Sequence, residues 1–277
     1  MMRSHSNAFL VLAFCGAIGI ATAAPLPLAP IRKVMKDRAG AFVVIDCASG
    51  EITDFDAKAS AGKLPPCSTF KIWNALLGLE EGILSAPEEP FYQWDGTSRD
   101  IAAWNKDLNL RDAFQASCVP AFQSLANRLG SDRMNRWLDT IGYGDKNTTA
   151  GLDVFWLPAP ARRTIMISPR EQAELLRQLV SGKLPIKPAS LKTLKDLMRV
   201  RETPAATLYG KTGSGTLSTD GTKLGWFVGF VESGERCFAF ATALQGAEAS
   251  GAETRSLVET ILLDPNLLNR RNSSISP

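Results

Sequence analysis

Two stretches of this chain place a lysine three residues after a serine, Ser60–Lys63 (SAGK) and Ser68–Lys71 (STFK). A serine hydroxyl becomes a nucleophile only when a neighbouring base takes its proton, and an amine can do so only when it is not already an ammonium. Residues three apart face the same way on a helix, so the pairing has meaning where a helix carries it. Ser68 opens a predicted helix over Ser68–Glu80, with apolar residues at Phe70, Ile72, Trp73, Leu76, Leu77 and Leu79, Pro65-Pro66 before it and Gly82 at its end. The unpaired N–H groups and positive end of that helix favour an oxyanion beside Ser68. Ser60–Lys63 falls in a Gly-containing linker that does not fix the spacing. Read alone, Ser68 and Lys71 fit a helix cap and a surface cation at least as well.

Two further triplets change that balance. Ser117-Cys118-Val119 lies at a helical segment, and Lys211-Thr212-Gly213 ends a predicted strand and is followed by Ser214-Gly215. Average residue usage puts one such Lys-Thr-Gly triplet in roughly one chain in ten of this length. With Tyr143-Gly144-Asp145, Phe155-Trp156-Leu157, Gly225-Trp226-Phe227-Val228-Gly229 and Arg255, these motifs make the chain resemble the penicillin-recognising serine enzymes, and within them the class D β-lactamases, from about residue 40 to 265.

The resemblance implies a penicillin-binding fold and a β-lactam ring opened through an acyl-enzyme on Ser68. It implies Lys71 as N6-carboxylysine, formed from carbon dioxide or bicarbonate, as general base, with no metal and no other cofactor. Ser117 is the implied proton relay and Lys211 the neighbouring positive charge. The backbone N–H groups of Ser68 and Ser214 are the implied oxyanion hole, and Val119, Thr212, Gly213 and Arg255 the substrate contacts. The Trp156 indole N–H is the implied support of the carbamate. Bringing a lysine from about 10.4 to near neutrality takes roughly 4 kcal/mol of environment, and the apolar Phe70, Val119, Trp156 and Leu157 favour the neutral amine that takes up carbon dioxide. One position departs from the family: Asp145 stands where its triplet carries Asn, in a loop expected to be structural.

These side chains need a frame. Ala41–Cys47, the turn Ser49-Gly50 and Glu51–Phe55 read as a β-hairpin. Helical periodicity marks Val119–Leu129, Ser131–Ile141, Pro169–Val180, Pro188–Val200 and Glu253–Leu263. Strands return at Ala206–Lys211, Lys223–Val231 and Arg236–Leu244. The order predicts an α/β protein of the α+β type: an antiparallel sheet built from both chain ends and flanked by helices, with an inserted all-helical subdomain over about 68–184. The tail Arg270–Pro277 is expected to fray.

Composition limits the rest. The chain has 277 residues, 45% hydrophobic and 21% charged, enough for a single domain over 24–277. Residues 1–23 read as a secretory signal peptide, with Arg3, an apolar run Ala8–Ala21 and the small-residue site Ala21-Thr22-Ala23. The run is too short to cross a bilayer, which takes roughly 20 residues, so a periplasmic or secreted product without stable membrane association is expected. Phe14 before Cys15 argues against lipid attachment. Cleavage removes His5, the only histidine, and with it Ser-His-Asp triads, Cys-His dyads and His-ligated zinc. It also removes Arg3, taking the net charge from +3 to +2, too little to suggest nucleic acid as a partner. Cys47, Cys67, Cys118 and Cys237 remain, open to three pairings or to staying reduced. Gly210-Lys211-Thr212 is not a P-loop, since Ala205 stands where that motif needs glycine.

Three alternatives meet the same residues: a penicillin-binding sensor domain, a cell-wall peptidase, both slow to deacylate, or a non-catalytic binding module. Substrate range would be set by the loops around Trp94–Trp104 and after Ser214, and the pattern assigns no oligomeric state.

Overall fold

The structure, a computed structural model, describes residues 25–217 and 221–268. The expected signal peptide with Cys15 and His5, and the tail from Arg270, lie outside the described residues.

Strand β1 (Ala39–Asp46) shows how the sequence builds the sheet. Its run of Phe42, Val43, Val44 and Ile45 is buried throughout, and successive side chains enter opposite cores, Val43 and Ile45 one, Phe42 and Val44 the other. Such an uninterrupted apolar run marks a strand covered on both faces. Strand β2 (Ile52–Asp54) pairs with it as the predicted hairpin, Val44 opposite Thr53. From the other end of the chain come β5 (Arg199–Glu202), β6 (Thr207–Thr216), β7 (Lys223–Ser233) and β8 (Arg236–Gly246). Together they form a six-stranded sheet ordered β2-β1-β8-β7-β6-β5, antiparallel at each pairing. Strands β3 (Pro90–Tyr92) and β4 (Leu108–Asn109) make a separate pair.

Helices cover both faces. Helix α1 (Leu28–Met35) and α9 (Gly251–Leu262) close one core, with Ile31, Met35, Val258 and Ile261 buried. Between the hairpin and β5 run α2 (Ala57–Ala61), α3 (Lys71–Glu80), α4 (Leu110–Gln115), α5 (Val119–Leu129), α6 (Ser131–Ile141), α7 (Pro169–Val180) and α8 (Pro188–Met198). α3 is buried along its whole length, packed by α5 and α8, while α7 starts with a full capping box, Ser168 and Glu171 bonding each other's backbone N–H.

Four local expectations need correction. The helix predicted from Ser68 begins as a 3-10 turn, Cys67–Phe70, and becomes α-helical at Lys71. Helix α5 spans Val119–Leu129 as expected, with Ser117 and Cys118 just before it. The helix predicted to Val200 stops at Met198, and Arg199–Glu202 instead pairs with β6; four mostly polar residues at a helix end give no period by which to recognise a strand. Lys211-Thr212-Gly213 lies within β6 and does not end it: pairing with β7 continues from Thr207 to Thr216, outweighing the poor strand propensity of Gly213 and Gly215. Ser60 sits on α2, its hydroxyl donating to Asp54 at 2.6 Å, and Lys63, past the helix end at Gly62, pairs with Glu171. Ser60 and Lys63 are therefore separately occupied.

Candidate active site

Ser68 stands in the 3-10 turn against the sheet. The turn is pinned at its entry, where the Trp226 indole on β7 donates to the Pro65 carbonyl at 2.9 Å and Thr69 Oγ1 to the Pro66 carbonyl at 2.7 Å. Gly213 on β6 permits the approach, since a Cβ there would meet the Pro66 carbonyl at 3.1 Å and the Thr69 nitrogen at 3.2 Å. Cys67 just before the serine has φ +52°, in the left-handed region that costs a non-glycine residue of order 1 kcal/mol.

One turn on, Lys71 is fully buried, yet its Nζ donates to Ser68 Oγ at 2.7 Å. Phe122 lies beneath the amine at 5.7 Å. Phe70 stacks on Trp156 at 5.6 Å and meets Phe155 and Tyr143 edge-on. Burial pushes the Lys71 amine well below its usual value, and the positive charge of Lys211 adds to the effect. Lys71 thus tends toward the neutral form that can act on the Ser68 proton.

The second serine is positioned from elsewhere. Ser117 follows α4 with φ +53°, held by its N–H to the Phe114 carbonyl at 3.1 Å. Lys211, 4% exposed in the middle of β6, donates to Ser117 Oγ at 2.9 Å and to the Thr212 carbonyl at 3.0 Å. Burial lowers the Lys211 amine to about 7.

Beyond this point β6 has an open side. β5 pairs with Thr207–Tyr209, so Lys211–Thr216 is bonded to β7 on one edge and, among the described residues, has no strand on the other. At that edge Phe114, Arg199, Lys211, Thr212 and Arg255 line a cavity of about 260 Å³. Gly251 lets α9 start against β6, its N–H donating to Ser214 Oγ at 2.9 Å, and a Cβ there would meet Thr212 Cβ and the Gly213 carbonyl at 2.9 Å. One turn later Arg255 is exposed at the cavity, its Nε donating to Glu259 at 2.6 Å.

The residues singled out in the sequence therefore meet in two hydrogen-bonded pairs, Ser68 with Lys71 and Ser117 with Lys211, with Gly213 against the Ser68 turn and Thr212 and Arg255 at the neighbouring cavity. Val119 is half-buried at the start of α5, and Ser214 lies exposed on β6 opposite Gly225. Among the described residues, the buried Trp156 indole N–H has no partner, nor do the Tyr143 hydroxyl and the Asn74 amide. Asp145 accepts from the backbone N–H of Met166 at 2.9 Å, fastening its loop. Phe114, Phe122 and Arg199 escaped sequence reading, because an aromatic at helical spacing signals only core. Among the described residues no group of three or more His, Cys, Asp or Glu could hold a metal ion, and no helix is long and apolar enough to cross a membrane.

Residues 37–263 match the family model of the penicillin binding protein transpeptidase domain. The chain is 33% identical to β-lactamase OXA-5 of Pseudomonas aeruginosa over 92% of this chain and 95% of that protein. It is 31% identical to the regulatory protein BlaR1 of Bacillus licheniformis over 81% of this chain but 36% of that protein. The crystal structure of a class D β-lactamase from Bacillus subtilis superposes with a TM-score of 0.78 at 33% identity, covering 87% of this chain and 97% of that one.

Proposed function

The chain belongs to the penicillin-binding transpeptidase family and to its class D β-lactamases, serine enzymes that hydrolyse β-lactams, and on that premise we propose how its own residues divide the work. Ser68 attacks the ring carbonyl, and the Lys71 side chain, 2.7 Å from its hydroxyl, takes the proton. This contact at a fully buried lysine is the observation that carries the proposal. Ser117 passes a proton to the departing ring nitrogen, and Lys211 holds Ser117 in place and lends positive charge. The Ser68 and Ser214 N–H groups receive the carbonyl oxygen. Val119 and Gly213 shape the walls, and Thr212 and Arg255 meet the substrate carboxylate, Arg255 through a charge-assisted fork.

The surroundings of Lys71 also suit a carbamate. The amine is pushed toward neutrality, and the buried Trp156 N–H lacks a protein partner, a state that costs about 1–3 kcal/mol unless something accepts from it. Carboxylated by carbon dioxide, Lys71 would supply a base for acylation and deacylation alike, with Trp156 as its donor. Turnover that falls when bicarbonate is stripped at low pH and returns on its addition supports this assignment; turnover indifferent to bicarbonate assigns the base to the bare amine.

We further propose that the chain is exported by residues 1–23 and protects its cell from β-lactams. The similarity to BlaR1 favours a second reading, a penicillin sensor that acylates and stops. Excess benzylpenicillin separates them. Ring opening over many equivalents, abolished by Ser68→Ala, is expected of the hydrolase; one equivalent consumed followed by silence makes the chain a receptor.

A further inference from the structure

We propose that Cys47 and Cys237 form a structural disulfide that ties the N-terminal hairpin to β8. The sequence leaves three pairings open; strand register favours this one. β1 and β8 run antiparallel with Asp46 opposite Phe238, so the next pair along the ladder is Cys47 and Cys237. The Cys47 N–H donates to the Cys237 carbonyl at 2.9 Å, and the two thiols share a hydrogen bond with their sulfurs 3.1 Å apart. Both are free thiols in the structure, and a bond of about 2.05 Å needs the sulfurs to close by about 1 Å. Cys67, by contrast, turns its thiol to the Pro65 carbonyl at 3.6 Å and is pushed up to about 12 by burial. Burial also raises Cys118.

The inference rests on the export proposed above, because an oxidising compartment supplies the acceptor. The oxidant is a disulfide, small-molecule or protein. The thiolate of one cysteine attacks it and expels one thiol; the second thiolate then attacks the mixed disulfide and expels the other. Two protons leave the cysteines, and their two electrons reduce the oxidant to two thiols. The Cys237 hydrogen bond favours ionisation of Cys47, while Cys237 is partly exposed and open to the oxidant. The bond would join residues 190 apart in sequence, constraining most of the unfolded chain.

The test treats purified reduced protein with oxidised glutathione, alkylates remaining thiols after denaturation and maps the peptides. Expected are a linked Cys47–Cys237 peptide, alkylation of Cys67 and Cys118, unchanged turnover, and a melting temperature about 5–10 °C above that of the reduced form. Cys47→Ser with Cys237→Ser should abolish the dependence of melting on reductant while leaving turnover intact. Full alkylation of Cys47 and Cys237 after oxidation, a Cys67–Cys118 link, or a reductant effect that survives in the double variant would overturn the pairing. Chain found reduced in its own host's cytoplasm, yet forming this link in glutathione, would count against export and leave the pairing standing.

Discussion

Ser68–Lys71 and Ser117–Lys211 are the same two side chains at nearly the same separation, 2.7 and 2.9 Å, but the fold assembles them in opposite ways. The first is local, three residues apart on a 3-10 turn entering a helix. The second joins a loop and a strand 94 positions apart. Their surroundings differ too. Lys71 lies over the Phe122 ring and feels the charge of Lys211. Lys211 donates to a backbone carbonyl as well as to a serine, and burial brings it to about 7. Two buried amines with different hydrogen-bond partners are suited to divide into a proton acceptor and a proton holder.

That division can be broken experimentally. Lys71→Ala should have the largest effect, cutting steady-state benzylpenicillin turnover by about a thousandfold or more, with acyl-enzyme accumulating in intact mass spectra. Ser117→Ala and Lys211→Ala should each cost roughly a hundredfold in kcat/KM, and the double variant much less than the product, because the two act as one unit; full additivity would dissolve the pair. Trp156→Phe, which keeps the ring and removes the donor, should cost about tenfold in turnover, partly restored by bicarbonate.

A stability measurement sharpens the same contrast. Unfolded, Lys211 keeps its proton to about 10.5; folded, only to about 7. Between those values the unfolded state binds more protons, so stability should rise with pH by up to about 1.4 kcal/mol per unit. Lys211→Met should flatten that rise in urea unfolding followed from pH 7 to 10. Smallest of all, Ser60→Ala should leave turnover unchanged and cost about 1–2 kcal/mol of stability through its lost bond to Asp54.

What the sequence revealed follows the same local-versus-distant divide. Ser68–Lys71 was legible because spacing and apolar period agree over one segment, and β1 because its β-branched run is long. The Ser117–Lys211 contact was reachable only through family resemblance, since nothing near either residue announces the other. Four-residue β5 was hidden behind the helical period of α8, and the full length of β6 behind its glycines, because pairing with β7 is a property of two segments. Phe114 and Phe122, which the lysine amines face, looked like any core aromatics. The sulfur pair needed strand register, which no single segment carries.

The point at which α8 hands over to β5 has one more consequence. Met198 is the last helical residue, and Arg199 already lies opposite Tyr209. Were the chain extended one helical turn earlier, those residues would zip onto Lys211–Gly213 and the sheet would be one strand wider where its edge now stands open. The edge at Lys211–Gly213 is unpaired because α8 stays helical to Met198. Unpaired edges elsewhere invite other chains to dock as extra strands; here the unpaired stretch is the six residues Lys211–Thr216.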